Sequence, residues 1–577
     1  MQWAYRAQKR VGVNADEPEF APVSGFDGSV AGSRMVQYSP DGRYFAVAAD
    51  GSTRIYDAST LALLHDLAIE KAIEIAFSPR GTYLSTWERP VRTETPNGAV
   101  YNKNLRVWRT SDGVLTGEFE RRQIEGCFPQ FTADEKYALR LAGAELHVFD
   151  PTRFDAGPIG RVRQENMASF SVSPGERPSV AVFFPEKKGA PAMVRIYTVS
   201  SMIDTPGTAA HVAQKSFFKA EKVTFKWNAS GTSLLLLTAT DHDKTGKSYY
   251  GETNLYMLSS RGDFDCRVNL DKEGPIHDFE WNPNSREFIV IYGYMPAKAV
   301  LFSYRVNVIA ELGTQPRNFI AFNPQGRLFC LAGFGNLAGT VDIWDRESID
   351  KGKLFTLNAS NSSVLQWSPD GQYILTGTLS PRLRVENGVR IWHCTGSLVH
   401  IDMIEELYQV TWRPSAKVPP FPQRIPAAPT ASTAAAAAIA KQASARPVGA
   451  YRPPAARGSS TTSVTEALRR DDTPSPAYVA PGNRAGGRAK RVPGAPERSS
   501  ANKKNERPKA APVMGAADVG GSGDGAIEKK VRNLNKKLKA IEQLKERRDR
   551  GETLEQTQLQ KIDGEAELRR ELAALEA

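Results

Sequence analysis

The side chains best able to hold a metal or attack a substrate are seven histidines and four cysteines. Their spacing does neither. His65, His147, His211, His242, His277, His393 and His400 form no HExxH pair or other ligand set. A lone histidine beside a strand, such as His147, reads as structural or surface. Cys127, Cys266, Cys330 and Cys394 lie far apart with no CxxC, which fits a reducing compartment and small buried apolar residues rather than disulfides or zinc. The run Asp241–Gly246 (DHDKTG) lacks the regular spacing and terminal Glu of a calcium loop and reads as an exposed connection. There is no GxxxxGK[ST] phosphate loop, and no serine sits in a GxSxG elbow. The expectation is a protein without catalytic residues, metal or cofactor. What remains is phosphate chemistry. Lys529, Lys530, Arg532, Lys536, Lys537, Lys539, Lys545, Arg547 and Arg548 crowd one segment, more densely than i,i+4 pairing requires. A second island, Gly449–Gly458, offers Tyr451, Arg452 and Arg457 as a stacking ring with two cations. Its composition alone fits a solvated polyproline stretch equally well.

Those cations must be carried by something. Ile527, Val531, Leu534, Leu538, Ile541 and Leu544 recur every three or four residues, one apolar stripe on a helix. Gly551 stops it, and Thr553 with Gln556 has capping-box spacing for a second helix. Leu554, Leu559, Ile562, Leu568, Leu572 and Leu575 give that helix a rougher stripe, weakened by Gly564. The first helix is basic and the second net acidic, so residues 526–577 are expected to form an α-helical hairpin or coiled-coil segment. Residues 415–525 are rich in Ala, Pro, Gly, Ser and Arg and poor in large apolar side chains, which predicts a disordered basic linker. The formal net charge is +11. Residues 1–414 sum to about −1 and the remainder to about +12. Attraction to a polyanion should therefore reside in the tail.

Residues 1–414 are dominated by a repeat. An apolar strand ends in an aromatic or valine, a Ser/Asn-Pro turn follows, and another apolar strand begins. The copies read YSPDGRYFAVAA from Tyr38, FSPRGTYLSTW from Phe77, FTADEKYALRL from Phe131 and VSPGERPSVAVFF from Val172. WNASGTSLLLL from Trp227, WNPNSREFIVIYG from Trp281, FNPQGRLFCLAG from Phe322, WSPDGQYILTG from Trp367 and WRPS from Trp412 complete the series. About nine copies at spacings of roughly 39–55 residues suit propeller blades. Pro presets φ in the turn, Ser or Asn bonds nearby backbone, and Gly takes the left-handed position. A third strand ending in an aromatic follows most copies, as in RIYD (Arg54–Asp57) and DIWD (Asp342–Asp345), and then a weaker fourth. The ninth copy has only its first strand, and the strand-like start QWAYRAQKRVGV is expected to complete that blade and close the ring. The fold expected is all-β: a nine-bladed, alternatively eight-bladed, WD40-like β-propeller. Apolar stretches such as Leu234–Leu237 are far too short to cross a membrane, and the first residues lack the apolar core of a secretory signal, so a cytoplasmic protein is expected.

Two stretches resemble a known family. KKVRNLNKKLKAIEQLKERRDRGETLEQTQLQKID, Lys529–Asp563, is similar to the C-terminal signature of the eukaryotic translation initiation factor 2A family, and AYRPP, Ala450–Pro454, to the island preceding it there. The propeller agrees in repeat number, order and position, so the resemblance spans nearly the whole chain. The Ala-rich stretch near Ala434–Ala440 and the missing Pro in FTADE and WNASG depart from the pattern at spacer or turn positions. The resemblance implies a non-catalytic factor that binds the small (40S) ribosomal subunit. It implies codon-dependent delivery of initiator methionyl-tRNA without GTP for a subset of mRNAs. It also implies association of the C-terminal region with mRNA and with initiation factor 5B, and no membrane partner. The alternative is a non-enzymatic scaffold that gathers proteins on a propeller face. A third reading is a relative of the b subunit of initiation factor three, whose N-terminal RNA-recognition domain has no counterpart before the first blade.

Overall fold

The computed structural model describes residues 1–444, apart from 16, 18, 31, 96–97, 188, 241–250 and 381, and residues 538, 541, 542, 545, 562, 565, 566, 569 and 570. Among the described residues the strands form nine antiparallel four-stranded sheets and one small hairpin. The nine-bladed reading therefore holds, and the eight-bladed alternative does not. Blades 1 to 8 follow the chain, from Met35–Tyr38 as the first strand of blade 1 to Leu398–Met403 as the last of blade 8. In blade 9 the first strand is Leu407–Trp412 and the other three are Gln2–Ala7, Val11–Ala15 and Ala21–Pro22. Trp3 faces Trp412 and Tyr5 faces Val410 across that seam. Closing the ring with both chain ends leaves no open sheet edge between the first and last blades.

The sequence shows why the blades stack. Each second strand is pressed between two neighbouring sheets and is accordingly near-continuously apolar. SVAVFF (Ser179–Phe184) and LFCLA (Leu328–Ala332) are buried at every position. First strands line the inner ring, and polar side chains on them join blade to blade. Gln409 of blade 9 accepts from the Val36 amide at 3.0 Å and donates to the Val36 carbonyl at 3.2 Å. Gln130 makes the same pair of bonds to Val172 and Phe170 of blade 4. The Asp278 carboxylate accepts from the Ile320 amide at 2.8 Å. The tryptophans that open the turn motif do similar service. The indole N–H of Trp281 donates to the Lys226 carbonyl at 2.8 Å, that of Trp367 to Ala321 at 3.1 Å, and that of Trp412 to Gln366 at 3.3 Å, each on the preceding blade. Each such bond is worth about 1 kcal/mol net, and each fixes register between sheets.

The turns themselves follow the motif's chemistry. In blade 1 the Ser39 hydroxyl donates to Asp41 at 2.6 Å and accepts from the Tyr44 amide at 2.9 Å. Thr132 with Asp134, and Ser368 with Asp370, repeat it. The last turn position is left-handed, φ 73° at Gly42 and 72° at Gly326. In two copies without glycine there, Glu135 (φ 59°) and Ser285 (φ 62°) accept that conformation.

Two expectations need correction. The chain does not leave the ring at Pro414. Residues 415–432 run back across the turn face of blades 8 and 7, where Gln325 donates to the Pro419 carbonyl at 3.0 Å. Arg327 donates to the Pro422 and Gln423 carbonyls at 3.0 and 2.9 Å, with its guanidinium over the Phe421 ring. Phe421 and Ile425 pack on the core shared by blades 7 and 8. The alanine run then forms a helix, Thr433–Ser444, against the outer strand of blade 8. Ser432 donates its amide to Val399 at 2.8 Å and caps the Ala435 amide. Polar composition concealed this strap because its attachment is mostly backbone carbonyls accepting from ring side chains, a bond any residue can offer. The second correction concerns the cysteines. Cys127, Cys330 and Cys394 are buried as expected, but Cys266 lies on the fourth, outermost strand of blade 5 and is half-buried. Burial pushes the Cys127 thiol up to about 11 and Cys394 up to about 12. Ellman's reagent on the native protein at pH 8 should therefore titrate one thiol promptly, and four only after denaturation. Cys266→Ser should abolish the prompt fraction; a second fast thiol would contradict this packing.

Candidate nucleic-acid interface

Of the twelve residues expected to meet RNA, Lys545 alone lies among the described residues; Tyr451, Arg452, Arg457, Lys529, Lys530, Arg532, Lys536, Lys537, Lys539, Arg547 and Arg548 lie outside them. Lys545 is helical and forms an ion pair with Glu565 at 2.5 Å. Glu565 also takes Arg569, one turn on, at 2.9 Å, and the Lys545 bond leads the causes that hold its carboxyl below the usual range. Ile541 and Ile562 are both buried. The ion pair joins positions 545 and 565, and the burial of Ile541 and Ile562 is what a pair of helices sharing their apolar stripes requires. Lys545, the member of this group among the described residues, is thus already occupied by Glu565.

On the ring, several cations are held in ion pairs. Lys226, on the inner strand of blade 5, bonds Glu280 at 2.7 Å and Asp278 at 3.4 Å, both on the inner strand of blade 6. Arg317 and Asp342 form a buried pair at 2.6 Å that Lys353 joins at 3.0 Å. On the turn face Arg43 pairs with Asp41, and Arg327 with Asp345 at 3.1 Å. His147, read as structural, bonds Glu145 at 2.8 Å. Asp241–Gly246 lies outside the described residues. No cluster of three metal-ligating side chains occurs among the described residues, and no described helix is long and apolar enough to cross a membrane.

One exposed element was not singled out from sequence. Between the second and third strands of blade 2, Arg92–Thr95 and Gly98–Tyr101 form a hairpin on the face opposite the turns. Arg122 lies over the Tyr101 ring at 4.2 Å, with Val91, Val100 and Ile124 exposed nearby in sequence. The available signal was Pro96-Asn97-Gly98 between two short alternating runs.

Comparison with known proteins agrees with this architecture. Residues 215–410 match the family model described as eukaryotic translation initiation factor eIF2A, residues 529–575 the model of its C-terminal domain, and residues 21–57 a WD domain, G-beta repeat. A solved structure, "Crystal structure of the eukaryotic initiation factor", is 42% identical with a TM-score of 0.65, covering 72% of this chain and 98% of that one. The Drosophila melanogaster protein named eukaryotic translation initiation factor 2A is 32% identical over 94% of this chain and 92% of its own length. Its Schizosaccharomyces pombe namesake is 43% identical over 100% of this chain and 98% of its own length. With a closed nine-bladed ring, a match to the C-terminal domain model on the same chain, and identity sustained from end to end, this protein belongs to the eukaryotic translation initiation factor 2A family.

Proposed function

We propose that this protein is a non-enzymatic translation initiation factor of the cytoplasm that binds the small ribosomal subunit and helps deliver initiator methionyl-tRNA to it. Delivery proceeds without GTP, depends on the start codon and serves a subset of mRNAs. The ring is a rigid platform, and the tail beyond Ser444 supplies electrostatic grip on RNA and the contact with mRNA and initiation factor 5B. The observation that carries this reading is the division of charge in a chain of this family. The first 414 residues sum to about −1, whereas the rest carries about +12. Phosphate contacts of that kind give affinity, while base and shape contacts give orientation.

Sedimentation with purified small subunits tests it. The full chain should cosediment, and a chain ending at Ser444 should lose most of the association. Raising salt from about 50 to 200 mM should weaken binding of the full chain by about a thousandfold if six or more phosphates are neutralised. Association that ignores both salt and the tail would reject this division of labour and favour the scaffold reading.

A further inference from the structure

On the turn face blades 5 and 6 lack an acid that blades 1 and 7 carry; blades 2, 4 and 8 lack it too, with Arg109, Thr198 and His393 in that register. Where the third strand meets the second at its outer end, blade 1 sets Asp57 opposite Tyr44 and blade 7 sets Asp345 opposite Leu328. Those acids cap the following turn: Asp57 accepts from the Ser59 amide at 2.8 Å and Asp345 from the Glu347 amide at 2.9 Å. Asp345 also neutralises Arg327, the arginine that closes the blade 7 turn. In the same register blade 5 has Ser259 opposite Ser233, and blade 6 has Ser303 opposite Glu287. The serines keep the capping bond: Ser259 accepts from the Arg261 amide and Ser303 from the Asn307 amide, both at 3.2 Å. They do not keep the charge. The blade 6 turn also has Asn284 where blade 1 has Asp41, yet it retains its arginine, Arg286.

The outcome is a groove of about 760 Å³ between these two blades, lined by Arg261, Arg286 and Arg305 together with Phe264 and Tyr304. Among the described residues none of the three guanidiniums has an ion-pair partner, whereas Arg43 and Arg327, which hold the Arg286 position in blades 1 and 7, do. Arg305 lies over the Tyr304 ring at 5.4 Å and the Phe264 ring at 5.7 Å, and Tyr304 is 43% exposed. The groove's one carboxylate is Asp263. Guanidiniums without an ion-pair partner beside a part-exposed tyrosine ring are what a single-stranded nucleic acid needs: phosphates for the cations, a base for the ring.

We infer that the groove between blades 5 and 6 binds a single-stranded segment of RNA, its phosphates on Arg261, Arg286 and Arg305 and a base on Tyr304. This rests on the reading of the protein as a factor working on RNA, and adds a site on the ring to the tail's grip. Three arginines share the field of one carboxylate, Asp263, and that excess of positive charge favours a polyanion; the exposed Tyr304 ring favours one that carries bases over an acidic peptide.

The test uses the full chain, with 4-thiouridine-substituted oligouridylate of about twelve residues for photocrosslinking and phenylglyoxal to footprint arginines. Crosslinks are expected on Tyr304 or Phe264, with oligouridylate protecting Arg286 and Arg305. Arg286→Ala with Arg305→Ala should reduce the groove crosslink about tenfold while leaving tail crosslinks and the melting temperature unchanged. Tyr304→Ala should do the same, and Tyr304→Phe should restore it. Tail crosslinks without groove crosslinks would overturn this inference and leave the proposed function standing. No crosslink anywhere would overturn both. Protection of the arginines by polyglutamate and not by oligouridylate would reassign the groove to an acidic peptide.

Discussion

Trp3→Ala should cost about 3–5 kcal/mol of stability, among the largest effects of any single truncation in this chain. Trp3 is fully buried at the seam where the two ends meet. It belongs to one core cluster with Tyr5, Phe20, Tyr373, Leu375 and Trp412, which draws on strands from the first residues, from blade 8 and from the last strand of the ring. Emptying that volume weakens the one blade whose strands come from both termini, whereas elsewhere each sheet is continuous in sequence. Trp3→Phe is the informative control. Unlike Trp281, Trp367 and Trp412, Trp3 has an indole N–H that is buried without a partner, so removing it gives up no hydrogen bond. The phenyl variant should lose only about 1–2 kcal/mol, from lost volume. Urea unfolding followed by far-ultraviolet dichroism measures both. An alanine variant within about 1 kcal/mol of the parent would mean the seam is not what holds the ring shut.

Ending the chain at Pro414 and ending it at Ser444 should give proteins of different stability. The shorter removes the strap. It uncovers the surface under Phe421 and Ile425 and removes the Pro419, Pro422 and Gln423 carbonyls to which Gln325 and Arg327 donate. Both side chains are half-buried, so together with those bonds the loss should be about 2–4 kcal/mol. The longer keeps every one of these contacts, and its unfolding midpoint should match the full chain within about 0.5 kcal/mol. In the full chain, Phe421→Ala with Ile425→Ala should reproduce much of the shorter chain's deficit, separating packing from chain length. Equal midpoints for the two truncations would remove the strap from the energetics of the ring. The result also decides where a ring-only protein should end, because a cut at Pro414 confounds loss of RNA contacts with loss of stability.

The repeat was legible because its chemistry is local. A Ser-Pro-Asp-Gly turn bonds within six residues, and a buried second strand such as SVAVFF announces itself by continuous apolarity. Closure was legible for a related reason: a ninth motif with only one strand demands three more, and Gln2–Ala7 at the other end had strand character. The cross-blade stitching was not legible. A glutamine at position 409 says nothing of Val36, 373 residues away, until the ring brings them together. The strap hid for the same reason, since its proline- and alanine-rich residues are held by partners nearly a hundred positions earlier.

By itself, then, the sequence determined the repeat, its number to within one blade, and the separation of a neutral body from a cationic tail, because each depends on residues near one another or on composition; the ring itself fixed the count at nine. Only the tertiary structure decided which charges are free. Arg286 and Arg327 occupy the same place in the same turn motif, and nothing local tells them apart. One is neutralised by an aspartate on a strand 18 residues on, and the other faces a serine there. Charge pairing acts through space over a few ångströms, so it is settled by strand register rather than by the order of residues along the chain.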